Sequence, residues 1–199
     1  LIRTATLHDK DGNPLKVVGV ILDIDRAKKS EQQLTARASF DALTELYNRE
    51  TIESQIDNEI TLSEARKSEM AVLFVDVDDF KHYNDQYSHA TGDQVLKFVA
   101  RTLKNVVGEF GFAGRYGGDE FIACVRNAEI NDPTRVAQDI ISRLEEGFDC
   151  DGVHLSVSVS IGISMIKDDY NTRVEYIIGK ADDAMYSVKK NGKSNYAFI

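Results

Sequence analysis

The chain has 199 residues, the length of one full domain with room for an appendage. Its 42% hydrophobic and 29% charged residues are ordinary for a folded globular protein and exclude a disordered chain. The formal charge of −9, from 33 acidic and 24 basic residues, speaks against a binder of nucleic-acid backbones but leaves room for a nucleotide met by a few local cations and a metal.

The chain opens on a strand pattern, Arg3-Thr4-Ala5-Thr6-Leu7, with no signal-peptide pattern before it. Leu1 stands where an initiator Met would, so a piece of a longer protein is expected. Turn formers follow over Asp9-Lys10-Asp11-Gly12-Asn13-Pro14, and Leu15 to Ile24 is again a strand pattern. A hairpin over residues 1–25 results, and a lone hairpin is marginal in water without further strands. Residues 26–40, free of Gly and Pro and rich in helix formers, read as a helical linker: a solvated connector or a two-chain coiled coil.

From Asp41 the pattern is mixed α/β. A helix is expected over Thr51 to Lys67, then a central strand over Met70 to Val77, apolar on both faces. Ala90 to Val106 is helical in spacing, and Phe112 to Arg126 reads as two strands around Tyr116-Gly117-Gly118-Asp119. Pro133 to Phe148 is a helix with proline in its first turn, and Leu155 to Ser164 alternates, with serines and Gly162 opposite the apolar face. A helix over Val174 to Lys190 and an edge strand over Tyr196 to Ile199 complete the chain. From Met70 the order is β-α-β-β-α-β, an α+β class with ferredoxin-like arrangement and an antiparallel sheet carrying helices. The densest early apolar run, Ala71 to Val75, is five residues long, against the roughly 18 of a membrane span, so no membrane contact is expected. Cys124 and Cys150 are too few for a zinc cluster and are expected as free thiols in a reducing cytoplasm.

Acidic residues gather where strands end. Asp76 and Asp78 follow Val72-Leu73-Phe74-Val75, and Asp119-Glu120 sits on the turn after Gly117-Gly118. If those strands are neighbours, three or four carboxylates converge, which is costly without cations. Hard carboxylate oxygens suit Mg²⁺. Spacing alone leaves two solvated turns as an equal alternative. Two other patterns fail: Asn191-Gly192-Lys193-Ser194 has Ser187 where a Walker loop needs its first glycine, and Asp76-Val77-Asp78 has Lys81 where a calcium loop needs one.

Arg115-Tyr116-Gly117-Gly118-Asp119-Glu120-Phe121 resembles the motif of the GGDEF domains, the diguanylate cyclases, and further motifs agree. Asp41-Ala42-Leu43-Thr44-Glu45-Leu46-Tyr47-Asn48-Arg49 resembles the family's opening D-x-L-T-x-L-x-N-R. Asp76-Val77-Asp78-Asp79-Phe80-Lys81, Asn84-Asp85 and His89-Ala90-Thr91-Gly92-Asp93 follow its D-x-D-x-F-K-x-x-N-D…H-x-x-G-D. Ser160-Ile161-Gly162 matches its S-x-G strand, and Ala181-Asp182-Asp183-Ala184-Met185-Tyr186 with Lys189 and Gly192-Lys193 matches its close. The resemblance covers Asp41 to Ile199 and implies a nucleotide-cyclase palm fold and the condensation of two GTP into cyclic di-GMP with release of two pyrophosphates, in bacterial signalling.

The resemblance also implies roles. Asp76, the Val77 carbonyl and Asp119 would hold two Mg²⁺, with Mn²⁺ as a substitute, stabilising the attacking and leaving oxygens. Asp119 or Glu120 would accept the 3′-hydroxyl proton. Gly117 and Gly118 would let the hairpin backbone approach the nucleotide. Asn84 and Asp93 would read guanine, with His89 and Phe80 in the same pocket. Lys81, Lys189 and Lys193 would meet phosphates. The product is two-fold symmetric, so a homodimer is expected.

Departures are equally specific. The family's inhibitory R-x-x-D falls on Gly108-Glu109-Phe110-Gly111, with neither charge in place. Ser88 replaces a common glycine before His89. The first 40 residues resemble the last hairpin of a PAS sensor and its linker. The rival reading, a silent module that binds GTP or a partner protein, is opposed by intact Asp76, Asn84, Asp93, Asp119 and Glu120.

Overall fold

A computed structural model describes residues 2–21, 39–167 and 170–199. The chain divides into two units, Leu1–Ala38 and Ser39–Ile199. In the first, β1 (Ile2–His8) and β2 (Pro14–Ile21) form an antiparallel pair, with Thr4 opposite Gly19 and Leu7 opposite Lys16. The turn closes through Asp9, whose carboxylate accepts the N–H groups of Asp11 and Asn13, both at 2.9 Å. The expected end of the hairpin near Asp25 and most of the linker helix lie outside the described residues.

The second unit is built on one five-stranded sheet. Its strands are β3 (Met70–Val77), β4 (Gly111–Gly117), β5 (Glu120–Arg126), β8 (Val159–Ile166) and β9 (Asn195–Phe198). The order is β4-β5-β3-β8-β9, antiparallel except for the β8–β9 pair. β3 is central, and all eight of its residues are buried, as its unbroken apolar run requires.

The sheet is covered on both faces, which explains that burial. On one side α3 (His89–Val107) and α4 (Pro133–Glu146) set Val95, Val99, Leu103, Ile140 and Leu144 against Leu73, Val75, Phe121 and Ile161. On the other, α1 (Arg49–Arg66) and α5 (Val174–Lys190) set Ile52, Ile56, Ile178 and Met185 against Met70, Val72, Phe74 and Ile122. The first pair with β3, β4, β5 and β8 is the expected ferredoxin-like palm; α1 and α5 add a third layer.

Helix starts follow local chemistry. The side chains of Asn48, Ser88 and Asp132 accept the N–H groups of Thr51, Thr91 and Thr134, capping α1, α3 and α4. Ser88 is therefore a cap, which accounts for a polar residue where glycine is common.

Three elements differ from the sequence reading. The helix begun at Pro133 stops at Glu146, because Gly147 takes φ +75°. A small hairpin, β6 (Phe148–Cys150) and β7 (Val153–Leu155), follows around Asp151-Gly152, so Leu155 is not part of the long strand. A short helix, α2 (Phe80–Gln86), fills the stretch after β3. The serines read as lying opposite the apolar face of the strand are buried as well: Ser160 and Ser164 lie under α5. A Cβ on Gly162 would stand 1.9 Å from the Ala181 carbonyl oxygen and 2.3 Å from the Met185 nitrogen. Small residues there let the helix backbone lie directly on the strand. Both cysteines are free; Cys124 is buried and Cys150 half-buried.

Candidate functional site

The site forms at the carboxyl end of β3. Register places Asp76 opposite Glu120 on one side and Ser160 on the other. The Val77 N–H donates to the Asp119 carbonyl at 3.2 Å, so the β4–β5 turn is stitched to the end of β3. Asp76, Val77, Asp119 and Glu120, singled out from sequence, thus come together at the end of β3 and the adjoining β4–β5 turn. Gly117 ends β4 and Gly118, at φ +48°, makes the turn; this conformation costs a residue with a side chain.

The Asp76 carboxylate is buried, and burial is the main force raising its pKa to about 6; Lys189 opposes the rise, while Asp119 and Glu120 add to it. Glu120 is also raised, by burial first and then by Asp119 and Asp182. Lys189, from the last turn of α5, places its Nζ 2.7 Å from Asp76 Oδ1. A crowded set of hard oxygens that already draws an ammonium is chemically suited to a divalent cation. Among the described residues, no three His, Cys, Asp or Glu side chains form a ready-made metal cluster.

The second carboxylate of the β3 end does different work. Asp78 is buried, and accepts hydrogen bonds from the Ser160 hydroxyl at 2.7 Å, the Ser158 hydroxyl at 2.5 Å and the Ser194 N–H at 3.2 Å. It ties β3 to β8 and to the turn after α5. Asp79 next to it binds Lys193 Nζ through both carboxylate oxygens, at 2.7 and 2.8 Å. Two of the three lysines matched to phosphate contacts, Lys189 and Lys193, thus hold a carboxylate at this rim, while Lys81 is exposed on α2.

The residues matched to base reading also converge. Asn84 on α2 lies against Gly92 on α3: a Cβ there would stand 2.2 Å from Asn84 Oδ1 and 3.3 Å from the Phe80 ring. Asp93 and His89, both exposed, lie on the same first turns of α3. Phe80 packs half-buried against the larger core, which makes it a support for this corner.

Sequence reasoning gave no role to Arg115 or Asp41, although both stood in quoted motifs. The Arg115 guanidinium donates to the Gly118 carbonyl at 2.7 and 3.0 Å and reaches both oxygens of Asp41 at 3.2 and 3.3 Å. Asp41 also accepts the Thr44 N–H at 2.9 Å and hydroxyl at 2.7 Å. Burial works to raise the Asp41 carboxyl, but Thr44 and Arg115 outweigh it and hold it below the usual range. Arg49 lies over the Tyr116 ring, 4.2 Å from its centroid, and donates to the Tyr116 hydroxyl.

Residues 38–195 match the family model described as "Diguanylate cyclase, GGDEF domain". A signalling protein of Bacillus subtilis, YkoW, is 34% identical over 88% of this chain and 22% of its own length. A diguanylate cyclase of Vibrio cholerae is 28% identical over 97% of this chain and 60% of its own. The chain thus spans less than two thirds of either relative's length. The coiled coil and GGDEF domain of Caulobacter crescentus DgcB, solved with c-di-GMP, superposes with a TM-score of 0.81 at 24% identity, covering 88% of this chain and 93% of that one. A palm sheet with the acidic turn against the end of its central strand, in a chain matched over nearly its whole second unit, belongs to the diguanylate cyclase GGDEF-domain family.

Proposed function

We propose that this chain condenses two GTP into cyclic di-GMP, releasing two pyrophosphates. The observation that carries the reading is the meeting of Asp76 with Asp119 and Glu120 through the β3–β5 register, beside the Lys189 ammonium. Two divalent cations, Mg²⁺ or Mn²⁺, held by Asp76, the Val77 carbonyl and Asp119 would supply charge neutralisation at the triphosphate. Glu120, a carboxyl raised by burial and by its acidic neighbours, stands closer to neutral pH than a free one and is suited to accept the 3′-hydroxyl proton. Asn84 and Asp93 orient guanine, with His89 lining the rim; a carboxylate accepts from the ring N–H and exocyclic amine together. Lys81, Lys189 and Lys193 meet the phosphates, and Gly117 and Gly118 keep the turn open to them.

The chain acts as a homodimer, each protomer presenting one GTP to the other. The hairpin of residues 2–21 is read as the end of a PAS sensor. Product inhibition through the usual anchor pair is absent, since Gly108 and Gly111 occupy its positions. The test is direct: the purified chain incubated with GTP and Mg²⁺ yields cyclic di-GMP and pyrophosphate. GTP left unconsumed, at protein concentrations where the chain is dimeric, overturns the reading.

A further inference from the structure

Asp76 and Lys189 form an ion pair at the centre of the proposed site. The ammonium lies 2.7 Å from Oδ1 of a carboxylate that is itself buried. Lys189 is attached near the end of α5, whose backbone is fixed on β8 by the close approach at Gly162. Its four-carbon stem is mobile by comparison, and its side chain is about a third exposed. Asp119 is tied to the same strand end through the Val77 N–H. One cation therefore serves a group of carboxylates that a divalent ion would also serve.

We propose that Lys189 is a resident counter-cation that competes with the divalent metal for Asp76 and is drawn off by the triphosphate, so that metal and nucleotide bind cooperatively. The inference rests on the assignment of Asp76 as a metal ligand. A unit positive charge on one oxygen of a carboxylate repels a divalent ion at the other, so metal alone binds weakly while the pair is intact. A triphosphate brings several negative charges within reach of the same ammonium. Lys189 then moves from carboxylate to phosphate, and both oxygens of Asp76 become free for the metal. By linkage, whatever the nucleotide gains in metal affinity the metal returns in nucleotide affinity. Lys193 is pinned on the exposed Asp79 and acts on Asp76 only at longer range, so it is the weaker of the two cations there.

The probe is Mn²⁺, read by electron paramagnetic resonance of the free ion at pH 8 on the full chain, with and without a non-hydrolysable GTP analogue. Wild type binds Mn²⁺ at least tenfold more tightly with the analogue than without. Lys189→Met binds Mn²⁺ alone at least fivefold more tightly than wild type and loses most of the enhancement. Lys189→Arg keeps the charge and retains weak binding of metal alone; it serves if the Met variant does not fold. Mn²⁺ affinity in Lys189→Met equal to or weaker than wild type overturns the proposal. Weak metal binding alone in Lys189→Arg supports it, and binding as tight as with the analogue overturns it. Cyclic di-GMP formation by wild type, measured separately, shows whether the reaction assignment has failed instead.

Discussion

At the scale of single residues, the site is a balance between carboxylates and the few cations that hold them. Asp119→Asn removes a charge from the turn without touching the core, so we expect turnover to fall by orders of magnitude with the melting temperature unchanged or slightly raised. Near-normal turnover would remove Asp119 from the machinery. Arg115→Ala leaves the Gly118 carbonyl and Asp41 without their shared donor. Losing a half-buried, charge-assisted contact costs about 1–3 kcal/mol. We expect kcat to drop at least tenfold with the KM for GTP nearly unchanged, since Arg115 acts through the turn. Lysine at this position should restore part of the stability but not the two-sided grip. Asp76 gives a pH test. Its folded pKa of about 6, raised mainly by burial, lies above the ordinary aspartate value of 3.8. Between those values the folded chain holds a proton that the unfolded chain has released, so this group's contribution to stability falls as pH rises from about 4 to 6. After solvent screening the effect is about 1–2 kcal/mol. In EDTA, Asp76→Asn should therefore melt above wild type at pH 8, with the gap closing toward pH 4. Parallel melting curves across that range would contradict the raised pKa.

At the scale of elements, α5 carries a cation to the site only because β8 is built of small residues where the helix crosses it. Gly162→Ala puts a methyl into the backbone of α5, with no side chain to yield. Overpacking of this kind costs about 2–3 kcal/mol, and the displaced helix takes Lys189 with it. A lower urea midpoint together with reduced turnover is the expected result; an unchanged midpoint would mean the helix can lift freely. The corner between α3 and β4 carries the other element-level expectation. A Cβ on Gly111 would stand 2.1 Å from the Cys124 carbonyl oxygen and one on Gly108 2.5 Å from that of Lys104. The backbone here admits neither member of an Arg–Asp anchor without moving. Each charge-assisted bond lost is worth about 1.5–3 kcal/mol, so binding of product at this corner should be at least a hundredfold weaker than with the pair. Calorimetry with cyclic di-GMP, the GTP site filled by a non-hydrolysable analogue, should show no submicromolar association.

At the scale of the whole molecule, the proposed reaction asks one chain for one acidic turn and one base-reading corner, whereas its product would have two equivalent halves. Specific activity should rise with protein concentration between nanomolar and high micromolar and then level off. Activity per chain that stays flat over that range would contradict a weak dimer. Among the described residues no helix is long and apolar enough to cross a membrane.

The linear order of residues was sufficient for the palm. The apolar run of β3, the turn at Gly117-Gly118 and the spacing of α3 and α5 are local signals, and the structure returns β3 and α5 with the bounds read from them. The same order identified Asp76, Asp119 and Glu120, because carboxylates at strand ends are visible without knowing which strands pair. What pairs with what is a matter of register and of the opposite sheet face, and neither is written in any one segment. Asp78 looked equivalent to Asp76, yet the hydroxyls of Ser158 and Ser160 and the Ser194 N–H, brought from distant positions, make it a structural knot. The serines of β8 read only as the face opposite the apolar one, and the tertiary structure shows that α5 lies on it. Lys189 and Lys193 were matched to phosphates, and only the packing of α5 and its following turn against the end of β3 set them on Asp76 and Asp79. Charges choose partners by distance, and distance between residues far apart in sequence is fixed by how the layers close.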